Sequence, residues 1–239
     1  MVAKPVHVLV TGSSRGIGAA IHQVLVERGA RVIGHGSTEG EGRLGADLAE
    51  PGVAEGLWER ALERLDGRID LLVNNAGVFE AVAVDADSDT WRAAWARTMQ
   101  INLMASADLS RLAVLHWRAT GRPGRLVNVA SRAAWRGDSP EHWHYAASKA
   151  GMVAMTRSIA RAHAAEGVLA FAVCPGFVRT DMATDALAGP DGARILGEIP
   201  LGRLADCEEV ANAVAYLGLD APASMTGAAI DINGASYVR

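Results

Sequence analysis

Cysteine is scarce in this sequence, with only 2 among 239 residues. Cys174 and Cys207 have neither the spacing of a zinc site nor the even, closely spaced pattern of a disulfide framework. We therefore predict no metal site and no disulfide. Cys174 closes an apolar run and is interpreted as a small core residue. Because free thiols persist in a reducing compartment, the expected location is cytoplasmic.

Long apolar runs and an excess of positive charge are also missing. No apolar run reaches the roughly 18 residues of a membrane-spanning helix, and the first residues lack the regions of a secretory signal. The formal net charge is −4, from 23 Lys and Arg against 27 Asp and Glu. This balance gives no electrostatic reason to expect binding to nucleic acid or to an anionic membrane. With half of its residues hydrophobic and no repeat or long linker, a chain of this length suits one α/β domain.

Apolar runs alternate with helical patterns along the chain. Six runs predict parallel strands covered on both faces: residues 6–10, 31–34, 71–74, 125–129, 168–174 and 228–232. Helical patterns between them include residues 58–65, 105–118, 145–165 and 208–217. Residues 36–45 are rich in glycine and polar side chains, which predicts an exposed loop. The alternation predicts an α/β fold of the Rossmann type, a doubly wound parallel sheet with helices on both faces and ligands beyond the carboxyl ends of its strands.

Residues 11–18 (TGSSRGIG) form a glycine motif between a predicted strand and an amphipathic helix. In this context Gly12 permits a tight turn, Gly16 lets the backbone approach a pyrophosphate, and Gly18 lets the helix pack closely on the strand. The free N–H groups and the dipole at the helix N-terminus favour an anion. The motif therefore predicts a dinucleotide site rather than an ordinary flexible turn.

Tyr145 and Lys149 are four residues apart in a predicted helix, so they share one face about one turn apart. A phenol has a pKa near ~10 in water, and a nearby cation favours the phenolate and lowers that pKa. The pair is therefore predicted to act as a general acid or base close to neutral pH. Alone, this spacing is weak evidence and is far more typical of a tyrosine and a lysine on a solvated helix, so the other motifs decide between the two interpretations.

The order and spacing of these motifs resemble the short-chain dehydrogenases/reductases over nearly the whole chain. The motifs that carry the resemblance are residues 11–18, residues 74–77 (NNAG), Asn102, Ser131, Tyr145, Lys149, and Pro175 with Gly176. Within that family the sequence is most similar to the 3-oxoacyl-(acyl-carrier-protein) reductases, notably in residues 175–182 (PGFVRTDM). The resemblance implies one domain over residues 1–239, with a cofactor half of about 1–130 and a catalytic and substrate half of about 131–239.

The resemblance implies a catalytic set of Asn102, Ser131, Tyr145 and Lys149. Ser131 would hold and polarise the substrate carbonyl oxygen. Tyr145 would give a proton to that oxygen as hydride arrives from a nicotinamide, and would take it back in the reverse direction. Lys149 would lower the pKa of Tyr145 and bind the nicotinamide ribose, and Asn102 would hold a water behind Lys149. Ser131 and Tyr145 are 145 − 131 = 14 positions apart, slightly more than is usual in the family. The loop of residues 136–144 must accommodate the extra length.

The sequence favours NADP(H) over NAD(H) as the cofactor. A carboxylate at the end of the second strand binds the ribose 2′-hydroxyl of NAD and repels the 2′-phosphate of NADP. Gly36 occupies that position without a charge, whereas Arg15 offers a planar cation. Glu39 is evidence for NAD, because a rearrangement of the loop after the second strand would bring its carboxylate inward. His35 either faces the phosphate or packs in the core, and the sequence leaves both open.

The predicted cofactor site, most of it implied by the resemblance, is larger than these residues. It comprises Gly12, Ser14, Arg15, Gly16, Ile17, Gly18, Gly36, Ser37, Asp47, Leu48, Asn74, Ala76, Gly77, Tyr145, Lys149, Pro175, Gly176, Val178 and Thr180. Asp47 resembles the acceptor of the adenine amino group, although an exposed loop acid explains it nearly as well. Asn74, Ala76 and Gly77 resemble the loop behind the adenine ribose, and Thr180 the residue near the nicotinamide carboxamide.

An apolar substrate pocket is predicted around Ser131. Its members are Ser131, Ala133, Trp135, Trp143, Phe177 and Met182, although ordinary packing explains each apolar side chain equally well. Residues 181–199 contain a break at 189–192 (GPDG) between two short helical stretches, which predicts a mobile lid.

The partner is expected to be a small carbonyl or alcohol substrate, which is carried by an acyl carrier protein if the closest resemblance holds. An acidic carrier needs a basic docking surface. The resemblance implies docking at Arg122, but the second docking position is Glu166, which would repel the carrier. A free ketone, a sugar alcohol or an acyl-CoA is therefore a nearly equal alternative, and a non-catalytic nucleotide-sensing protein of the same fold is the remaining one. Helices at 105–118 and 145–165 are apolar on more than one side, which predicts a homotetramer.

Overall fold

The computed structural model describes residues 5–180 and 192–239. In this part of the chain, seven parallel strands form one sheet in the order β3-β2-β1-β4-β5-β6-β7. They are β1 (His7–Val10), β2 (Arg31–Gly36), β3 (Arg43–Gly45), β4 (Leu71–Asn74), β5 (Gly124–Val129), β6 (Val168–Pro175) and β7 (Ala229–Ile232). The strand order reverses at β1 and β4, where a doubly wound sheet opens a crevice for ligands. The predicted Rossmann-type fold is confirmed.

Helices cover both faces of this sheet. They are α1 (Gly16–Glu27), α2 (Val53–Arg64), α3 (Ser88–Met99), α4 (Ala105–Thr120), α5 (Ala133–Arg136), α6 (Trp143–His163), α7 (Gly192–Gly197) and α8 (Cys207–Ala215). A π-helical segment, Gln100–Met104, joins α3 to α4, and a second one, Tyr216–Asp220, follows α8. Single 3-10 turns lie at Ala164–Glu166 and Ala223–Met225. None of the helices in the described ranges is long and apolar enough to cross a membrane.

The core lies in two layers because side chains alternate along each strand. Leu9 packs with buried residues of α2 and α4 on one face of the sheet. Its neighbours Val8 and Val10 pack with buried residues of α1 and α8 on the other face. Both faces of the central strands are thus fully covered, which explains why these strands are continuous apolar runs in the sequence.

The prediction of an exposed loop over residues 36–45 is wrong at its end. Residues 43–45 form the edge strand β3 and pair in parallel register with residues 34–36 of β2. Leu44 is only 3% exposed and belongs to the core. A three-residue strand with one apolar side chain has no alternation to detect, so it is recognisable only through its partner strand.

Helix boundaries differ from the prediction mainly at N-termini. α2 begins five residues before the predicted start at 58, and α3 and α5 were not predicted at all. Asp87 caps α3: its Oδ1 accepts hydrogen bonds from the N–H groups of Asp89 (3.0 Å) and Thr90 (2.9 Å). Such a side-chain cap satisfies backbone donors that the helix leaves unpaired.

β5, which leads to the candidate active site, is placed by close packing at its first residue. A Cβ on Gly124 would lie 2.0 Å from the ring of Trp117 in α4, so only glycine fits. The Trp117 ring is buried, and its Nε1 donates to the carbonyl oxygen of Ile69 just before β4 (2.7 Å). α4 and β5 therefore hold each other in a fixed position.

Candidate active site

The glycine motif forms a tight turn between β1 and α1 that is bonded to the loop after β4. Thr11 Oγ1 accepts hydrogen bonds from the N–H groups of Asn75 and Ala76, both at 3.0 Å. Gly12 has φ +67°, and a Cβ there would lie 2.7 Å from Cα of Ala76. A Cβ on Gly18 would lie 2.0 Å from the carbonyl oxygen of Gly12. Both positions therefore require glycine, as the motif predicts.

The mouth of this turn has the features that a dinucleotide pyrophosphate needs. α1 begins at Gly16 without a side-chain cap, so its first N–H groups are available to an anion. Gly16 has φ +55°, and a Cβ there would lie 3.3 Å from Cγ2 of Thr180, which follows β6. Thr180 and Gly16 thus face each other across the crevice between the two halves of the sheet. The residues present fit a nicotinamide dinucleotide.

His35 is a structural part of this turn. Its ring is buried, with the Gly12 N–H donating to Nδ1 (3.2 Å) and Nε2 lying 2.9 Å from the carbonyl oxygen of Ala46. Since the backbone donor occupies Nδ1, the proton resides on Nε2 and the ring is neutral. Burial lowers the pKa of His35, in agreement with the neutral form. Of the two roles that the sequence left open for His35, the structure supports packing.

The adenosine end of the predicted site contains a cation that sequence reasoning missed. A Cβ on Gly36 would lie 3.0 Å from Cδ and Nε of Arg43 in β3 and 3.6 Å from Cβ of Ser14. Glu39, the residue that argued for NAD, instead binds Arg60 Nη2 (2.7 Å) and accepts from the Gly45 N–H (2.8 Å). The only sequence signal for Arg43 was a basic residue in a predicted polar loop.

The remaining adenosine-side candidates are divided between surface and core. Asp47 is exposed, and its Oδ1 accepts from the Ala49 N–H at 3.0 Å. Leu48 is buried in the core below it. Ser37 and Arg15 are exposed.

The loop after β4 combines a buried anchor with residues that reach the crevice. The Nδ2 of Asn74 donates to Asn128 Oδ1 in β5 (2.9 Å) and to Ser110 Oγ in α4 (3.1 Å). A Cβ on Gly77 would lie 3.2 Å from Asn102 Oδ1 and 3.4 Å from Lys149 Nζ. Asn74 therefore steadies the sheet, whereas Gly77 lies against two of the predicted catalytic residues.

Ser131 and Tyr145 lie beside each other beyond the carboxyl end of β5. Ser131 follows β5 and is buried, and its Oγ accepts from the Ala133 N–H at 3.1 Å. The Ser131 side chain also acts on Tyr145 in the first turns of α6, where it lowers the pKa of the phenol. The Phe79 ring packs edge-on against Tyr145, with 4.8 Å between ring centroids, and stacks on His142. The loop at 136–144 thus accommodates the long separation of Ser131 and Tyr145 in the sequence and still brings the two residues together.

The predicted effect of Lys149 on Tyr145 is wrong for this structure. Burial raises the pKa of Tyr145 to about 12, and among the described groups only Ser131 acts against this shift. Lys149 Nζ lies 5.8 Å from the Tyr145 ring centroid and donates to the carbonyl oxygen of Val129 (2.9 Å). Burial lowers the pKa of Lys149 to about 8. Tyr145 is therefore a neutral proton donor at neutral pH, because desolvation disfavours the phenolate.

Asn102 lies in the π-helical segment, fully buried beside Lys149. Its Oδ1 accepts from the Val78 N–H (2.8 Å), and its Nδ2 donates to the Val78 carbonyl oxygen (3.0 Å) and to Ser148 Oγ (3.2 Å). The side chain therefore fixes the loop that follows Gly77. The water assigned to Asn102 from the resemblance stays a prediction.

The segment after β6 supplies the other wall of the crevice. Gly176 donates its N–H to the Ile232 carbonyl oxygen (2.9 Å), and a Cβ there would lie 2.8 Å from Cβ of Asn233. Val178 is buried and forms a parallel bridge with Ala205. These contacts hold the backbone that leads from Pro175 to Thr180 along the crevice.

The predicted substrate pocket is only partly assembled by these contacts. Ala133 is buried beside Ser131, and the Phe177 ring lies 4.4 Å from the Arg132 guanidinium carbon. Trp135 instead packs between the guanidinium groups of Arg157 (4.8 Å) and Arg239 (4.4 Å).

Trp143 lies farther out, 50% exposed and in edge contact with Trp91. Met182 and most of the predicted lid over residues 181–199 lie outside the described residues.

Arg132 is a further group near the site that the sequence did not single out. Its side chain is buried, and its Nη1 has no hydrogen-bond partner among the described residues. Glu198 lies 3.7 Å from its Nη2 but also pairs with Arg136 (3.1 Å) and Arg194 (2.8 Å). Within residues 5–180 and 192–239, no cluster of three or more His, Cys, Asp or Glu side chains is suited to hold a metal ion.

Comparisons with known proteins agree with this geometry. Residues 12–235 match the family model described as enoyl-(acyl carrier protein) reductase. The chain is 36% identical over 242 residues to the 3-oxoacyl-(acyl-carrier-protein) reductase of Escherichia coli, with 96% of both chains covered. It is 38% identical over 242 residues to the same enzyme of Vibrio harveyi, again with 96% of both covered. It also resembles the ligand-free aldohexose dehydrogenase of Thermoplasma acidophilum, with a TM-score of 0.86, 28% identity, and coverage of 99% of this chain and 95% of that one.

Proposed function

The chain belongs to the short-chain dehydrogenase/reductase family of oxidoreductases, and we propose that it interconverts a carbonyl compound and a secondary alcohol with NADP(H). The observation that carries this proposal is the placement of Ser131 beside Tyr145 beyond the carboxyl end of β5, with Lys149 one turn along α6. Ligands of doubly wound sheets bind at that edge. Asn102 is proposed as the positioning residue behind Lys149.

The chemistry follows from the two hydroxyl groups. A substrate carbonyl oxygen between them accepts hydrogen bonds from Ser131 and Tyr145, which polarises the carbonyl. The nicotinamide cofactor, when bound, supplies the hydride for the carbonyl carbon. Tyr145 donates its proton to the oxygen and takes a proton back in the reverse direction. Because burial raises the pKa of Tyr145 to about 12, the neutral donor needed for reduction is present throughout the physiological range.

The family implies a nicotinamide dinucleotide, and the proposed preference is for NADP(H). Gly36 brings no carboxylate to the ribose position, and Glu39 is held by Arg60 and the Gly45 N–H. Arg15 offers a cation from the glycine turn. A 2′-phosphate thus meets no fixed negative charge from these side chains. The carboxylate that would bind the ribose 2′-hydroxyl of NAD is also missing.

A 3-oxoacyl group on an acidic carrier protein is the first substrate that we propose. It is supported by the resemblance to the bacterial reductases and by Arg122, which lines a surface cavity beside His116. Glu166 opposes it, although Arg118 forms an ion pair with that carboxylate (2.8 Å) and the His163 ring lies 3.1 Å from it. A small ketone, a sugar alcohol or an acyl-CoA is the second candidate, favoured by the structural similarity to an aldohexose dehydrogenase.

A cytoplasmic homotetramer is the proposed assembly. Met104 and Leu115 on the α4 side and Trp143 on α6 are large apolar side chains between 44% and 50% exposed. Apolar surface on two neighbouring helices suits an interface between copies of the chain. Size-exclusion chromatography with light scattering measures the assembly directly.

The proposed reaction is tested with a panel of carbonyl substrates assayed in parallel by NADPH and NADH oxidation. The panel contains a 3-oxoacyl carrier protein, the matching acyl-CoA, an aldohexose and simple ketones. Tyr145→Phe keeps the ring but removes the proton donor, so we expect turnover to fall by about 10²–10⁴-fold while NADPH binding is retained. Turnover within a few-fold of the unmodified enzyme would remove Tyr145 from the mechanism. Cofactor binding without turnover of any substrate would favour the nucleotide-sensing alternative.

A further inference from the structure

Arg43 lies across the last residue of β2, at the adenosine end of the crevice. Its Cδ and Nε are each 3.0 Å from the place where a Cβ on Gly36 would be, and Cβ of Ser14 is 3.6 Å from the same point. In the doubly wound dinucleotide fold, the residue at the end of the second strand meets the adenosine ribose. The Arg43 side chain therefore occupies the ribose edge of the crevice, although it comes from a different strand.

The backbone that carries Arg43 is held firmly in this position. β3 pairs with β2 over residues 34–36, and the Gly34 N–H donates to the Gly42 carbonyl oxygen at 2.9 Å. Arg43 and Gly40 exchange two backbone hydrogen bonds of 3.0 and 3.1 Å. The direction of the side chain thus follows from two independent sets of backbone bonds rather than from a free loop.

The guanidinium group of Arg43 retains most of its hydrogen-bonding capacity. Its one hydrogen bond is long, from Nε to the Thr38 carbonyl oxygen (3.4 Å), and it forms no ion pair with a described residue. The nearby carboxylate of Glu39 is taken up by Arg60 (2.7 Å). A planar cation with free donors beside an uncharged ribose position matches the geometry of a phosphate.

We propose that Arg43 is a specificity-determining residue that binds the 2′-phosphate of NADP(H). The inference rests on the proposed cofactor preference and deepens it, because it assigns the main phosphate contact to β3 rather than to the glycine turn. Arg15 in that turn then has a supporting role. An acidic side chain at position 36 would select NAD, and it would contact Arg43 directly. The group that selects NAD and the group that selects NADP therefore compete for the same place.

The test compares two cofactor fragments that differ by the phosphate in question, adenosine 2′,5′-bisphosphate and adenosine 5′-monophosphate. Isothermal titration calorimetry measures both dissociation constants for the full chain and for Arg43→Met. We expect the variant to bind the bisphosphate about 10- to 100-fold more weakly, as for the loss of a charge-assisted hydrogen bond. Its affinity for the monophosphate should stay unchanged, and raising the salt concentration should reduce the difference.

Arg64→Met is the matched control, because it removes one exposed positive charge from the neighbouring helix α2. It should leave both affinities unchanged. Gly36→Asp is the second variant, since its carboxylate would pair with Arg43 and repel the phosphate, and it should also lose the preference for the bisphosphate. Circular dichroism and the thermal midpoint show whether each variant is folded.

The outcomes separate this inference from the proposed reaction. Unchanged bisphosphate binding by Arg43→Met would overturn the assignment and leave Arg15 as the phosphate contact. Equal weakening of both fragments would overturn it as well, because Arg43 would then act only by holding β3. If the unmodified protein binds both fragments equally, the NADP(H) preference and the role of Arg43 fall together. Carbonyl reduction with NADH would still support the proposed reaction in that case.

Discussion

Replacing His35 by phenylalanine isolates the hydrogen bonds that tie the glycine turn to β2 and β3. Phenylalanine keeps a ring of similar volume at a position that is 3% exposed. It removes the acceptor of the Gly12 N–H and the donor to the Ala46 carbonyl oxygen. An unpaired buried polar group costs about 1–3 kcal/mol. Because the two backbone groups are only partly buried, we expect the free energy of unfolding to fall by about 2–4 kcal/mol in total.

The same substitution should weaken cofactor binding, since Gly12 shapes the turn that receives the pyrophosphate. Urea denaturation gives the stability, and quenching of tryptophan fluorescence by NADPH gives the affinity. His22→Phe is the control: His22 is half-buried on α1 and its ring makes no hydrogen bond within residues 5–180 and 192–239. This control should change the stability by no more than about 1 kcal/mol and should leave NADPH affinity unchanged.

The pH dependence gives a second, independent readout. Burial lowers the pKa of His35 below 6.5 and outweighs the hydrogen bond to Ala46, which raises it. Arg43 also lowers this pKa, and Asp47 raises it. The unfolded chain therefore binds more protons at this site than the folded one. Neutral His35 makes its full contribution to the free energy of unfolding above pH 6.5. That contribution is lost as the pH falls through the pKa of His35 in the folded protein. The difference between unmodified protein and His35→Phe should thus shrink from pH 7.5 to 5.5, and the other histidines cancel in that comparison.

Two results would refute this reasoning. One is a variant that unfolds at the same urea concentration as the unmodified protein and binds NADPH equally well. The other is a difference in stability that does not change between pH 7.5 and 5.5. Either result would mean that the hydrogen bonds of His35 contribute nothing to the shape of the turn.

Two further predictions concern the reaction and its substrate. Lys149→Ala should slow turnover and weaken NADPH binding. Because burial lowers the pKa of Lys149 to about 8, the variant should also lose any limb of the pH–rate profile with a midpoint near that value. A limb that persists unchanged would assign that titration to another group. Glu166→Arg should raise the association rate of a carrier-bound 3-oxoacyl substrate in stopped-flow measurements at low salt and leave a free ketone unaffected, whereas an unmodified enzyme that already strongly prefers the carrier-bound substrate would show that Glu166 is no obstacle.

Local signals in the sequence predicted most of the fold and the position of the site. The glycine turn is recognisable because Gly12 and Gly18 are required by contacts within a few residues of the motif or with the next loop. Ser131 and Tyr145 come together because each lies at an end of a well-patterned strand or helix. These features depend on periodicity and spacing, which a sequence contains directly.

Features that depend on burial or on distant partners were not predictable in the same way. β3 exists because β2 lies beside it, so Arg43 was read as part of a loop. The pKa of Tyr145 had the opposite shift from the predicted one, because desolvation outweighs a cation 5.8 Å from the ring centroid. The engagement of Glu39 by Arg60, 21 positions along the chain, was equally invisible without coordinates.

The π-helical segment Gln100–Met104 constrains how the length of this chain can change during evolution. A π turn contains one residue more than an α turn, and each residue of an α-helix rotates the following ones by about 100°. Because the wide π turn absorbs its extra residue, deleting one residue here would restore regular helical hydrogen bonds and leave Leu109 and Trp117 of α4 facing the sheet. The deletion would instead displace Asn102, whose side chain holds the loop after Gly77 through both backbone groups of Val78. A regular α-helix at this point is therefore expected only in relatives that hold that loop by other contacts.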